Sequence, residues 1–167
     1  MKKSPGFSLL ELMIVIALIA ILSGFSVSWI KGIVKKNKIA KDVDAIFGLL
    51  QEARMLAFSQ KRACGLVWEN STFTKLELRC DTDQDNGISD FGGYETLKTI
   101  SLYYSFQDGR RTYTIFNKEG FNSFPLTFCP VSTTDLPGDS CILVSRTRIK
   151  KGSWDGKGCT SDHCQPR

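Results

Sequence analysis

The sequence predicts an α+β protein in which a long amino-terminal helix packs on an antiparallel β-sheet domain. Three observations predict it. Residues 12–22 carry no polar or charged side chain, residues 30–60 are proline-free with apolar residues at helical spacing, and after Lys61 short apolar runs alternate with turn residues. At 167 residues the chain accommodates one compact domain plus a non-globular segment. Its 42% hydrophobic and 23% charged residues exclude disorder, collagen-like sequence and a polytopic membrane protein.

The first element begins after Met-Lys-Lys-Ser-Pro-Gly. Residues 7–29, at about 1.5 Å of rise each, are long enough as a helix to cross a hydrocarbon core of about 30 Å. A cleaved secretory signal has a shorter apolar core and no acid within it, although Ser23-Gly24 imitates a cleavage site. Glu11 is the unusual residue. A carboxylate within a spanning helix costs about 2.5–3.5 kcal/mol at the centre and less towards the interface, so it calls for a partner; a tolerated acid at the headgroup level is the alternative.

The run Lys2-Lys3-Ser4-Pro5-Gly6-Phe7-Ser8-Leu9-Leu10-Glu11 resembles the class III signal of type IV prepilins and pseudopilins. The resemblance implies a prepilin peptidase that cuts after Gly6 on the cytoplasmic side and methylates the new amine of Phe7. It also implies that Glu11 recruits the subunit into a filament. The chain then divides into a leader (1–6), a transmembrane and filament-core helix segment (7–30) and a pilin-like globular domain with a basic tail (31–167). The physics agrees: a free amine on Phe7 of one subunit and the Glu11 carboxylate of another relieve each other's burial cost, and removing either strands the other.

Lys31, Lys35, Lys36, Lys38 and Lys41 outnumber Lys2 and Lys3, and charge bias alone would keep the domain in the cytoplasm. The resemblance and six cysteines favour export instead.

The second half of the helix is expected from Ile30 to about Gln60. Ile39, Val43, Ile46, Phe47, Leu50, Ala53 and Ala57 form the stripe that packs on the sheet. Gly24 and Gly32 weaken the helix locally. Strands are expected over 63–69, 73–80, 98–106, 112–117, 124–130 and 141–149, with turns at Asn70-Ser71-Thr72, Asp108-Gly109, Glu119-Gly120 and Leu136-Pro137-Gly138-Asp139.

Six cysteines, one histidine and no CxxC pair fit disulfides better than a zinc site. Hairpin symmetry about Thr72 pairs Cys64 with Cys80. Symmetry about Asp135 pairs Cys129 with Cys141, leaving Cys159 and Cys164 to staple the tail.

The order of long helix, strands, acidic loop, Phe116-Asn117-Lys118-Glu119-Gly120, Ile142-Leu143-Val144-Ser145-Arg146-Thr147-Arg148 and Trp154-Asp155-Gly156 resembles the GspH/FimT branch of minor pseudopilins. In FimT-like members a Gly-Arg-x-Arg motif contributes to DNA binding during natural transformation. The matching positions here are Ser145-Arg146-Thr147-Arg148, with serine in place of the glycine.

Two candidate binding sites follow. The loop 81–90 places Asp81, Asp83, Asp85 and Asp90 as hard oxygen ligands for calcium, although its glycine falls outside EF-hand spacing; an exposed acidic turn is the alternative. From Arg146 onward six basic side chains against two acidic ones hold four of the five excess positive charges. On a strand, Arg146, Arg148 and Lys150 would share one side, with Lys151 beside them and Trp154 as a stacking surface for double-stranded DNA. A solvated basic edge strand is the alternative. His163 has no nucleophile in any recognisable motif with it and reads as an exposed tail residue, so no enzyme is expected.

The expectation is therefore a non-enzymatic minor pilin or pseudopilin of a type IV pilus or type II secretion filament. It is anchored in the bacterial inner membrane, its soluble domain is exported, and after assembly it belongs to a periplasmic or cell-surface filament. Its expected partners are other pilin subunits, prepilin peptidase and double-stranded DNA. The alternative is a purely structural type II secretion pseudopilin that binds no DNA.

Overall fold

The computed structural model describes residues 8–82, 93–108 and 111–166, and of 22–29 the backbone alone. One helix, α1 (Leu9–Gln60), covers both helical stretches expected from the sequence. It stops where Lys61 takes a left-handed φ of 53°, a conformation that cannot continue a right-handed helix. Its residues up to Lys35 form one compact unit, and the residues from Lys36 onward belong to a second, which runs to Arg167.

The second unit is α1 on one antiparallel sheet. Its strands are β1 (Cys64–Val67), β2 (Thr72–Asp81), β3 (Tyr94–Asp108), β4 (Tyr113–Phe116), β5 (Leu126–Pro130), β6 (Cys141–Val144), β7 (Ile149–Trp154) and β8 (Cys164–Pro166). Their spatial order is β4-β1-β2-β3-β5-β6-β7-β8. The chain thus leaves β3, pairs β4 on the far side of β1, and returns to place β5 beside β3. Gly65 permits the close approach of β1 and β4, since a Cβ there would fall 2.1 Å from the carbonyl oxygen of Thr114.

Two expected runs change. β3 begins four residues earlier than predicted, and the run 141–149 is two strands separated by a turn. β7 and β8 then extend the sheet into the sequence expected to be a tail.

Ile39, Val43, Ile46, Leu50, Ala53 and Ala57 are buried against the sheet as the helical spacing predicts. They meet Leu66, Leu76, Leu78, Phe106 and Phe128, each large side chain contributing about 1.5–3 kcal/mol by leaving water. Trp68 closes one end of this core with ring centroids 5.1 Å from Phe73 and 5.2 Å from Phe128. A smaller cluster of Cys129, Cys141, Trp154 and Cys164 forms a second core. It lies on the other face of the sheet, because neighbouring strand residues alternate and Phe128 and Ile142 belong to the helix side.

β3 does not run straight. Phe73 is opposite Phe106 but Lys75 is opposite Ser101, so four residues of β3 bulge against Thr74 alone. Asp42 from α1 fills this irregularity. Its carboxylate accepts the N–H groups of Tyr103 at 3.0 Å and Tyr104 at 2.9 Å.

Candidate functional site

At the amino-terminal end, Glu11 lies in the first turn of α1. The N–H groups of Glu11 and Leu12 both donate to the carbonyl oxygen of Ser8, at 3.1 and 3.2 Å, which starts the helix there. The surrounding side chains are apolar and uncovered, with Leu10 69% and Ile14 53% exposed. An apolar surface this continuous requires a non-aqueous neighbour. Gly6 and Phe7 lie outside the described residues, as does part of the expected span 7–30 at the side-chain level. Among the described residues no helix is long and apolar enough to cross a membrane.

The expected basic strand is instead a hairpin tip. Ser145 donates from its backbone N–H to the carbonyl oxygen of Arg148 at 2.8 Å, and its Oγ accepts the Arg148 N–H at 3.1 Å. This turn closes β6 onto β7, so Arg146, Thr147 and Arg148 occupy the connection, and all three are exposed. Strand alternation therefore does not align Arg146 and Arg148 with Lys150. Serine suits the position where the FimT-like motif has glycine, because its hydroxyl ties the turn.

Lys150 and Lys151 point to opposite faces of β7. Lys151 turns to the helix side, where its ammonium pairs with Asp44 and lies 4.8 Å from the ring centre of Phe47. It is therefore engaged with α1, whereas Lys150 is exposed on the other face. Trp154, the expected stacking surface, is buried, and its Nε1 donates to the carbonyl oxygen of Gly158 at 2.9 Å. Beside the hairpin tip an open groove of about 690 Å³ runs between Leu126, Thr127, Leu143 and Ser145 on the sheet and Thr160 and Ser161 beyond Cys159.

The disulfides correct two of three expected pairs. Cys64 and Cys80 are bonded as expected, directly opposite in the β1–β2 register with Cα atoms 4.0 Å apart. Cys129 is bonded to Cys159, and Cys141 to Cys164. The expected Cys129–Cys141 and Cys159–Cys164 bonds are therefore absent. The hairpin register is nevertheless the expected one, since Phe128 is opposite Ile142, one step from Cys129 and Cys141. The pairing changes because the segment after β7 folds back over the same face. β8 sets Cys164 beside Trp154, and Gly152, which faces Cys141 in β6, leaves the room. A Cβ on Gly152 would fall 3.1 Å from Cys164 Sγ.

His163 is half-buried at the end of the short 3-10 turn Ser161–His163, not a solvated tail residue. Its Nδ1 lies 2.7 Å from Asp155 Oδ2, and Asp155 Oδ1 accepts the Lys157 N–H at 3.0 Å. The Lys157 backbone N–H first, and the His163 ring second, hold the Asp155 carboxyl below its usual range. The pair ties the ends of a loop.

Of the calcium candidates, Asp83, Asp85 and Asp90 lie outside the described residues. Asp81 ends β2 buried, its carbonyl oxygen accepting from Arg62 Nη1 at 3.0 Å. Among the described residues no cluster of three or more acidic, histidine or cysteine side chains is arranged to hold a metal ion.

Asp42 is the residue that pattern reading passed over. Burial, the larger effect, raises its pKa, while the two β3 N–H groups oppose that rise. The signal was present: an acid sits inside the apolar stripe between Ile39 and Val43.

Comparison with known proteins agrees with the amino-terminal motif and the fold. Residues 1–27 match the prokaryotic N-terminal methylation motif. No curated protein sequence matches the chain. The type IV minor pilin FimU of Pseudomonas aeruginosa, in two crystal forms, is similar in structure at 16% identity with TM-scores of 0.53 and 0.55. Those alignments cover 73% and 76% of this chain and 97% and 96% of FimU. The minor pseudopilin EpsH from the type 2 secretion system of Vibrio cholerae is similar at 10% identity and a TM-score of 0.51, over 72% of this chain and 99% of EpsH. The chain thus joins the N-terminal methylation motif to the fold of the minor pilins and pseudopilins.

Proposed function

We propose that this chain is a minor pilin or pseudopilin, a non-enzymatic filament subunit of a type IV pilus or type II secretion machine. A prepilin peptidase removes residues 1–6, and 7–30 anchor the subunit in the inner membrane with the globular domain exported. Neighbouring pilin subunits then cover the apolar helix in the filament. The observation that carries this reading is Glu11, a carboxylate in the first turn of an uncovered apolar helix, five positions after Gly6 of the methylation motif. Such a charge is stable in an apolar assembly only against an opposite charge, and the amine released at Phe7 is the nearest candidate in sequence.

Mass spectrometry of the chain from a host with active prepilin peptidase should find a methylated Phe7 at the amino terminus. An uncut chain, or one cut near Ser23-Gly24, would sink the reading. Glu11→Ala should still insert into the membrane yet be depleted from filaments; undiminished incorporation would show that the charge pair is not required.

The exposed Arg146 and Arg148 support a second reading, in which the hairpin tip captures double-stranded DNA for uptake. Binding should then show little sequence preference, and Arg146→Gln with Arg148→Gln should flatten its log–log salt slope by about 0.9 for each phosphate that is no longer neutralised. Absence of binding at low salt would leave the plain structural subunit.

A further inference from the structure

The strands fix where the hairpin tip lies within the unit that starts at Lys36. Along α1, Asp42 meets Tyr103 and Tyr104 while Glu52 meets Lys98, so β3 runs opposite to the helix. β5 and β7 therefore run with α1, and β6 runs against it. The β6–β7 turn accordingly lies at the end of the domain where α1 enters, beyond the level of Asp44, which holds Lys151. Arg146, Arg148 and Lys150 thus share one end of the domain with Lys36, Lys38 and Lys41, and all six are exposed.

Among the described residues acids do little to cancel this charge. At the same end Asp42 and Asp108 are buried and hydrogen-bonded to backbone N–H groups, Asp44 is committed to Lys151, and the exposed Glu69 of the β1–β2 turn sets one negative charge against six positive ones. Asp81 and Glu95 lie at the opposite end, where β2 gives way to β3. By chain connectivity the basic end is also the one tethered within a few residues of the apolar run 7–30.

We infer that the end of the domain bearing Arg146, Arg148 and Lys150 together with Lys36, Lys38 and Lys41 is a contact surface for anionic phospholipid headgroups, holding the subunit against the bilayer before assembly. The inference rests on the membrane-anchored reading above. Six basic side chains near an anionic surface each strengthen attachment roughly fivefold, and the attraction fades within a Debye length. A lysine-rich segment just after the apolar run then serves the bilayer it was exported across, which gives a role to charge that the positive-inside rule would place in the cytoplasm.

The test uses the full mature chain in lipid nanodiscs of phosphatidylcholine alone or mixed with phosphatidylglycerol, each carrying a gadolinium-chelating headgroup. Amide signals of residues 145–150 should broaden several-fold more in the anionic discs. Raised salt should reverse this in the unmodified chain, and the Arg146→Gln/Arg148→Gln/Lys150→Gln variant should not show it. Equal broadening in both discs, or broadening indifferent to salt and to the substitutions, would overturn the inference. Displacement of the hairpin from anionic discs by duplex DNA at physiological salt would overturn it in favour of nucleic-acid capture. A chain that does not enter the discs at all would instead remove the membrane-anchored reading itself.

Discussion

The two carboxylate oxygens of Asp42 satisfy two β3 N–H groups that the bulge turns away from β2. Asp42→Ala leaves those donors without their acceptor and should lower the unfolding free energy by about 1–3 kcal/mol, measured by urea titration. A change below the error of that titration would mean that water replaces the carboxylate. The pH dependence has a definite sign. Because burial raises the folded pKa above the unfolded one, ionisation opposes folding, and the contribution of Asp42 to stability is lost as pH rises from about 3.8 towards the raised value. Asp42→Ala lacks this contribution, so the deficit of the variant should be largest on the acid side and shrink as pH rises. A deficit that grows with pH over the same range would contradict the sign of the shift.

Elements were legible from the sequence where their partners are close in the chain. The β1–β2 hairpin and its Cys64–Cys80 bond follow from symmetry about Thr72, and the stripe from Ile39 to Ala57 follows from helical spacing. The β5–β6 register is equally local, but the bonds of Cys129 and Cys141 are not, because they depend on the segment after β7, which brings Cys159 to β5 and sets Cys164 in the edge strand β8. β7 is not legible because Lys150, Lys151, Gly152 and Ser153 do not alternate apolar with polar. The hairpin tip is not legible because Arg146-Thr147-Arg148 carries no glycine or proline to mark a turn. A double variant, Cys141→Ser with Cys164→Ser, should free β8 for limited proteolysis while β1–β3 stay protected. Unchanged cleavage of the segment after Trp154 would show that β7 pairing and the Cys129–Cys159 bond suffice to hold it.

For the molecule as a whole, fold class and the helix-led order of elements were readable because they depend on hydrophobic period, which is local. The neighbour relations were not, since nothing in Tyr113–Phe116 says that it pairs with Cys64–Val67 in place of the strand just before it. That topology has a kinetic consequence. Pairing β1 with β4 closes a loop of about fifty residues that contains β2 and β3, and loop-closure entropy must be overcome before the pairing returns any stability. The sheet therefore cannot form by zipping successive hairpins from one edge to the other. The β1–β2–β3 meander can form from near neighbours, and the edge strand must then find it, which puts the domain among slower, high contact-order folders. Until β4 arrives, β1 presents an open edge through Gly65, the residue whose missing side chain makes room for it.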